Sequence, residues 1–188
     1  MTGTKATEDL LTADTSGDSE ALQLLFEEHQ RRVYSIALNF FGGDYETASD
    51  VTQQVFLKLF IKMEQFRNDA EFTTWLYRIV VNTCIDEQRK QKRFLPFDLI
   101  FGVNEPHVKK TQEERAERRE LSDEVQKAVA DLKPKFRLPI LLKYVEGLSY
   151  EEIAKVLECS SGTVASRLNR GHKALAKKLG HLKKELFL

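Results

Sequence analysis

The chain has 188 residues, of which 41% are hydrophobic and 31% are charged, a composition that predicts a folded core. Its 29 acidic side chains balance 29 Lys and Arg side chains, which excludes a uniformly basic or acidic protein. No run of about 18 apolar residues is present, and residues 1–11 lack the apolar core of a signal peptide. The sequence therefore predicts a cytoplasmic protein with no membrane insertion of its own.

Helical periodicity and few helix-breaking residues predict an all-α fold. A first helix is predicted from about Ser19 to Phe41, ended by Gly42-Gly43. Asp44 can cap a second helix, and a third is predicted over about Glu71 to Arg93. Residues 19–93 are therefore predicted to form one compact helical domain.

Two further segments are predicted to be flexible. Residues 1–18 have little to bury and are expected to form a tail. Residues 94–120 are predicted to form a linker, because Pro96 and Pro106 interrupt any periodic pattern and a strongly charged arm follows. Residues 121–188 are then a second small helical domain.

The second domain is predicted to begin with two helices. The apolar residues of the first recur at helical spacing and are expected to face the core, namely Leu121, Val125, Ala128, Val129 and Leu132. Pro134 suits the first turn of the second helix, whereas Pro139 inside it should kink the helix or shift its start.

The segment Ser149-Tyr150-Glu151-Glu152 has the pattern of a capping box. The Ser149 hydroxyl can accept from the Glu152 amide while the Glu152 carboxylate reaches back. A short helix, a tight turn over residues 157–160 and a longer basic helix capped by Ser160 or Ser161 follow. This succession predicts a helix-turn-helix.

The second helix of this motif carries groups that suit DNA. Residues 160–184 contain seven Lys or Arg and no Asp or Glu, whereas residues 1–30 contain seven acidic side chains and one Lys. Arg can bond a guanine edge in two places, Asn or Ser can read other edges, and Lys can hold phosphates. The candidate DNA contacts are Thr163, Ser166, Arg167, Asn169, Arg170 and Lys173.

Two parts of the chain resemble a known family. Val145-Glu-Gly-Leu-Ser-Tyr-Glu-Glu-Ile-Ala, followed by Gly162-Thr-Val-Ala-Ser-Arg-Leu, resembles region 4 of the extracytoplasmic-function (ECF, group 4) sigma factors of the sigma-70 family. Asp50-Val-Thr-Gln-Gln-Val-Phe56 resembles region 2.2, and Phe72-Thr-Thr-Trp-Leu-Tyr-Arg-Ile-Val-Val-Asn82 resembles regions 2.3 and 2.4. The resemblance implies a region 2 bundle and a region 4 helix-turn-helix joined by a flexible linker.

The resemblance implies a transcription initiation factor rather than an enzyme. Asp50, Gln53 and Phe56 would dock on the largest-subunit clamp of core RNA polymerase, and the flap region of the polymerase is a further expected partner. The third helix and the loop before it would read the promoter -10 element, with one base flipped into a pocket. The matched residues are Lys58, Phe66, Arg78, Asn82, Asp86, Arg89 and Lys90. The helix-turn-helix would read the -35 element of promoter DNA, and an anti-sigma factor would control the protein.

Three positions depart from the family pattern. Glu158 stands in the turn of the helix-turn-helix where Gly is common, at a cost of roughly 1 kcal/mol if the position needs a positive φ. Ala165 stands where Lys or Arg is frequent. Asp86 is acidic within the DNA-facing stripe, where it either accepts from an exocyclic amine of a base or repels phosphate.

Other functions remain open at this point. A stand-alone helix-turn-helix regulator would share residues 145–180 but needs no first domain. An enzyme is disfavoured, because the four His and two Cys show no metal-ligand spacing and no phosphate loop or nucleophile motif is present. No catalytic residue, metal or other cofactor is predicted. Cys84 and Cys159 are expected to be small buried hydrophobic groups, with redox switching as the alternative.

Overall fold

A computed structural model describes residues 19–63, 71–94 and 113–180. Within these ranges the chain is helical and has no β-strand, so the predicted all-α fold is confirmed. The helices are α1 (Ser19–Phe40), α2 (Tyr45–Lys62), α3 (Phe72–Phe94), α4 (Glu113–Ala130), α5 (Pro134–Tyr144), α6 (Tyr150–Val156) and α7 (Ser161–Lys178). None of these helices has both the length and the apolar character needed to cross a bilayer. The predicted tail, residues 1–18, and residues 95–112 of the predicted linker lie outside the described residues.

Helices α1, α2 and α3 pack into a bundle, as their apolar periodicity predicts. Asp44 caps α2, because its Oδ1 accepts from the Thr47 amide at 3.0 Å. Cys84 is wholly buried, and burial raises the pKa of its thiol to about 12, so it acts as a small hydrophobic group. Fully buried residues of this bundle include Val33, Ile36, Phe40, Val51, Val55, Leu59 and Val80.

Helices α4 to α7 form the second half of the molecule. Ala128, Val129 and Leu132 are buried as predicted, but Val125 is 39% exposed, so the prediction for Val125 was wrong. The side chain of Leu121 lies outside the described part of the chain. Among the α4 side chains that the structure describes, residues 122–130, the buried ones begin at Ala128, in the last turn of the helix. Pro139 lies inside α5, yet α5 still begins at Pro134, so the predicted shift of its start does not occur. The Pro139 ring is buried, and this apolar contact offsets the missing hydrogen bond.

The two halves pack against each other, an arrangement that sequence patterns had left open. Helix α1 contacts α4 and α5, α3 contacts α6, and the buried side chains form one hydrophobic cluster. Gly42 permits this approach, because a Cβ at Gly42 would lie 2.8 Å from the Cβ of Ala130. Gln126 Nε2 also donates to Asn39 Oδ1 at 3.2 Å.

Arg137, on α5, is a buried cation at the junction of the halves, with 4% of its surface exposed. Its guanidinium donates to the main-chain carbonyls of Phe40 at 2.6 Å, Leu132 at 2.7 Å and Ala130. Burial lowers the pKa of Arg137 to about 10, so the group remains protonated at neutral pH. One cation thereby satisfies carbonyls at the C-terminal ends of α1 and α4, which lack helical partners.

We predict that Arg137→Lys lowers the free energy of unfolding by about 2–4 kcal/mol, because one ammonium cannot serve carbonyls on two helix ends. Urea unfolding followed by circular dichroism measures this change. Arg31→Lys, on the exposed surface of α1, is the matched control and should change it by less than about 0.5 kcal/mol. Equally small effects of both substitutions would contradict the role given to Arg137.

Candidate nucleic-acid interface

The helix-turn-helix is present, with its predicted caps. Ser149 Oγ accepts from the Glu152 amide at 3.2 Å, and the Ser149 amide donates to Glu152 Oε2 at 2.6 Å. The turn covers residues 157–160, and Ser160 Oγ accepts from the Thr163 amide at 3.2 Å to begin α7. Local hydrogen bonds therefore fix where both helices of the motif start.

Two further positions shape the motif. Glu158 has a φ of 49°, the positive value expected where the family commonly has Gly. Gly171, which the sequence analysis missed, is buried on α7, and a Cβ there would lie 2.6 Å from Ile140 Cδ1. The sequence signal that could have identified this position was a Gly in the middle of a predicted helix. Gly lowers helix stability there, so its presence indicates close packing against another element. Helix α7 therefore approaches α5 closely on one side and leaves its other side open to solvent.

The predicted contacts on α7 fall into two groups. Four of them are exposed: Ser166, Asn169, Arg170 and Lys173. Thr163 and Arg167 are half-buried and engaged locally, since the Thr163 and Ser160 hydroxyls bond at 2.9 Å and Arg167 Nη1 donates to Cys159 Sγ at 3.8 Å. Cys159 is accordingly only partly buried, which differs from the prediction of a fully buried group.

The predicted -10 residues of α3 lie mostly on its exposed side. The exposed members are Asn82, Asp86, Arg89 and Lys90. Asp86 Oδ1 lies 3.6 Å from Arg89 Nη1, so the acidic group of the stripe has a cation beside it. Lys90 Nζ donates to Glu87 Oε2 at 3.2 Å. Phe66, which lies between α2 and α3 in the sequence, is outside the described residues.

Arg78 and Lys58 contact protein groups. Arg78 Nε and Nη2 donate to the main-chain carbonyl of Lys155 at 3.1 and 2.8 Å, and Arg78 Nη1 lies 3.4 Å from Glu158 Oε1. Lys58, on α2, donates from Nζ to Thr83 Oγ1 at 3.1 Å. The first of these contacts joins α3 to the helix-turn-helix, and the second joins α2 to α3.

Helix α2 presents a mixed polar and apolar stripe to solvent. Asp50 and Gln53 are exposed, and Leu57 at 60% and Ile61 at 74% exposure continue their face. Phe56 is only 3% exposed. With 3.6 residues per turn, Phe56 is rotated by about 120° from Asp50, whereas Leu57 nearly coincides with it. In this conformation Phe56 supports the stripe from the core, and its ring is not available to a partner.

Comparison with known proteins identifies the two halves. Residues 25–94 match the family model of Sigma-70 region 2, and residues 122–175 match that of Sigma-70, region 4. The chain is 32% identical over 174 residues to the ECF RNA polymerase sigma factor SigW of Bacillus subtilis, covering 88% of this chain and 92% of the relative. The chain belongs to the ECF sigma factors of the sigma-70 family. Sigma factors are transcription initiation factors, and the region 2 match favours this function over that of a stand-alone regulator.

A further relative and two solved structures match this ECF sigma factor along most of their length. The RNA polymerase sigma-H factor of Pseudomonas aeruginosa is 34% identical over 179 residues, covering 90% of this chain and 91% of the relative. CnrH, solved in complex with the cytosolic domain of CnrY, has a TM-score of 0.69 and 26% identity, covering 94% of this chain and 98% of CnrH. The sigma factor RpoE of Bartonella quintana, solved with the anti-sigma factor NepR, has a TM-score of 0.65 at 22% identity and shows the same fold, covering 84% of this chain and 96% of RpoE.

The capping box makes a pH-dependent contribution to stability. Hydrogen bonds from the Ser149 backbone and side chain lower the pKa of Glu152. The carboxylate therefore stabilises the fold above its unfolded pKa of about 4.3, and this stabilisation is lost as pH falls through the lowered folded pKa.

We predict that Glu152→Gln lowers the free energy of unfolding at neutral pH by about 0.5 kcal/mol, because Gln keeps the hydrogen bond from the Ser149 amide but loses the charge, and that it flattens the dependence on pH on the acid side. Urea unfolding at a series of pH values measures both effects. Glu151→Gln, which removes an equal charge from the first turn of α6 without touching the cap, is the control. The same acid slope in both variants would show that the capping box is not its source.

Proposed function

We propose that this sigma factor binds core RNA polymerase and brings it to promoters by contacting a -35 element with α7 and a -10 element with α3. The observation that carries the proposal is the presence of two exposed polar surfaces, one within each matched sigma region. A regulator that reads duplex DNA alone has no need of the second surface. This activity would place the protein in the bacterial cytoplasm.

The -35 contact would place the N-terminal turns of α7 in the major groove. Arg170 could bond a guanine edge in two places, and Asn169 could bond an adenine edge. Lys173, one turn further, would hold a backbone phosphate. Thr163 and Arg167 would contact DNA after leaving their local partners. The proposed -35 contacts are Thr163, Ser166, Arg167, Asn169, Arg170 and Lys173.

The -10 contact would place an unpaired strand along α3. Asn82 would bond a base edge, and Arg89 and Lys90 would hold the backbone. Asp86 would accept from an exocyclic amine, since the neighbouring Arg89 offsets its repulsion of phosphate. Phe66 would supply a stacking surface. The proposed -10 contacts are Lys58, Phe66, Arg78, Asn82, Asp86, Arg89 and Lys90.

Polymerase would dock on the exposed stripe of α2. Asp50 and Gln53 supply hydrogen-bonding groups, and Leu57 and Ile61 supply apolar surface on the same face. Apolar side chains bordered by polar ones are typical of protein interfaces. The largest-subunit clamp is the proposed partner of this stripe, with Phe56 backing it from the core, and the flap is the proposed partner of the second half.

An anti-sigma factor is the proposed regulator. The Bartonella quintana RpoE structure contains the anti-sigma factor NepR, and the CnrH structure contains the cytosolic domain of CnrY. CnrH and RpoE, the sigma factors in these complexes, share the fold of this protein across both halves. A partner of this kind would act here by covering the polymerase-binding or DNA-binding surfaces.

Transcription in vitro tests the proposed function. Purified bacterial core polymerase is mixed with the protein and a promoter library, and RNA starts are sequenced. The proposal expects starts that require the protein and share two spaced elements. No such starts, with a core enzyme that the protein is shown to bind in a pull-down, would contradict it.

We predict that Arg170→Ala weakens binding to a promoter selected in this way by about 1–3 kcal/mol, because it removes a bidentate base contact. Its binding to random duplex should change much less. Lys177→Ala, an exposed residue in the last turn of α7, is the control and should weaken both by similar factors. If Arg170→Ala loses the same affinity for the selected promoter and for random duplex, Arg170 contacts a phosphate and does not read a base.

We predict that Leu57→Ser/Ile61→Ser weakens binding to core polymerase by at least about tenfold, because both apolar side chains leave the docking stripe. Fluorescence anisotropy with labelled protein measures the affinity, and thermal unfolding verifies that the fold is retained. Tyr45→Ser, an exposed residue at the start of α2, is the control and should bind normally. If the double variant binds core polymerase with wild-type affinity, the α2 stripe is not part of the interface.

A further inference from the structure

An exposed, hydrogen-bonded aromatic pair joins the end of α5 to α7. Tyr144, the last residue of α5, is 65% exposed, and its hydroxyl lies 3.0 Å from His172 Nε2 on α7. The two ring centroids are 5.6 Å apart, with the ring planes inclined at 60°. Because both side chains are exposed, the pair adds nothing to the buried core. A hydrogen bond open to water contributes little to folding, so the pair has to be explained by something other than stability.

Close packing of α5 and α7 fixes the position of this pair. Gly171 comes directly before His172, and a Cβ at Gly171 would lie 2.6 Å from Ile140 Cδ1. Ile140 is one turn before Tyr144 on α5, so both of its side-chain neighbours in this contact lie close to the pair. The backbones that carry Tyr144 and His172 are therefore held rigidly against each other. A group presented in this way loses little conformational freedom when it binds a partner.

His172 lies on the flank of α7, beside the residues proposed to read bases. With 3.6 residues per turn, it is rotated by about 60° from the exposed Asn169 and by about 20° from Ala165. A helix in the major groove has a sugar-phosphate backbone along each flank, and donors placed there bind phosphates. The Ala165 methyl group cannot donate a hydrogen bond. The Tyr144 hydroxyl, held against His172, brings a donor to this flank from the neighbouring helix.

The bond between the two side chains decides which atom of the Tyr144 hydroxyl faces outward. A tyrosine hydroxyl has one proton to donate and lone pairs that accept. When His172 Nε2 carries a proton and donates to the Tyr144 oxygen, the Tyr144 O–H is free to donate elsewhere. A phosphate oxygen accepts but cannot donate, so a nearby phosphate favours this arrangement. His172 would thereby position the proton that Tyr144 offers to DNA.

We propose that Tyr144 is a further promoter contact of this sigma factor, which donates from its hydroxyl to a phosphate of the -35 element while His172 positions that hydroxyl. The inference rests on the proposed function, in which α7 occupies the groove of the -35 element. It extends the DNA-binding surface beyond the helix-turn-helix, since Tyr144 belongs to α5. Such a contact adds affinity and fixes the register of the protein on the duplex without selecting a base.

Neutral methylphosphonate linkages in the DNA locate the contact. The sigma factor in complex with core polymerase is titrated onto a promoter found by sequencing RNA starts, with one phosphate of the -35 region replaced at a time. At one phosphate, replacement should weaken binding of the wild type about three- to tenfold and that of Tyr144→Phe less than twofold. The phosphate held by Lys173 is the internal control, and its replacement should weaken both proteins equally.

Two substitutions of His172 test its positioning role. His172→Gln keeps an N–H that can donate to the Tyr144 oxygen, and should bind the promoter within about twofold of the wild type. His172→Ala should bind as weakly as Tyr144→Phe, and combining the two should cause little further loss because both remove one contact. Tyr45→Phe makes the same chemical change at an exposed tyrosine of α2 and should keep the wild-type pattern. Thermal unfolding verifies that each variant is folded.

Three results overturn the inference. The first is the same methylphosphonate pattern in the wild type and in Tyr144→Phe. The second is a Tyr144→Phe variant that binds core polymerase more weakly but promoter DNA normally, which would place Tyr144 in a protein interface. The third is a His172→Gln variant as weak as His172→Ala, which would remove the positioning role. The proposed function fails by a separate result, in which neither the wild type nor any variant yields protein-dependent RNA starts.

Discussion

The buried guanidinium of Arg137 joins the ends of α1 and α4 at the junction of the two halves. A charge with 4% exposure is tolerated only where hydrogen bonds replace its water, and its acceptors are carbonyls at the ends of α1 and α4. Because these ends belong to different halves, Arg137 links region 2 to region 4 through α5. The chain after α1 must also pass close to α4, which Gly42 allows because it has no Cβ.

This junction brings α3 against α6, so the two surfaces proposed for promoter DNA are neighbours. Arg137 and Arg78 use the same chemical group in two ways within one interface. Arg137 is buried on main-chain carbonyls and stabilises the packing of the two halves. Arg78 is partly exposed, and its ion-pair partner Glu158 has a strained backbone. The Arg78 contact therefore contributes less stabilisation than that of Arg137 and is more easily exchanged for a contact with DNA. The Arg137 junction stabilises the fold, whereas the weaker Arg78 contact leaves this end of α3 able to bind DNA.

Local features of the fold could be predicted because each depends on a few neighbouring residues. The capping box at Ser149, the turn after it and the helical periods are of this kind. The junction was not predictable, since Arg137 and Phe40 are 97 residues apart and no local pattern encodes their meeting. Phe56 shows another limit, because residues spaced by three drift around a helix of 3.6 residues per turn and pass from its surface to the core. The polar residues of α7 could be predicted as a set of candidate DNA contacts. Which of them are exposed depends on the packing of α7, which the sequence pattern alone does not give.

The most direct test of this account is the distance between dyes on α1 and α7 in two states of the same labelled protein. One state is the free chain, and the other is the chain in an initiating complex with core polymerase and promoter DNA. We expect a single short distance in the free chain and a longer one in the complex, since Arg78 must leave Lys155 and Glu158 to meet DNA. An unaltered short distance in a complex that is making RNA would contradict it.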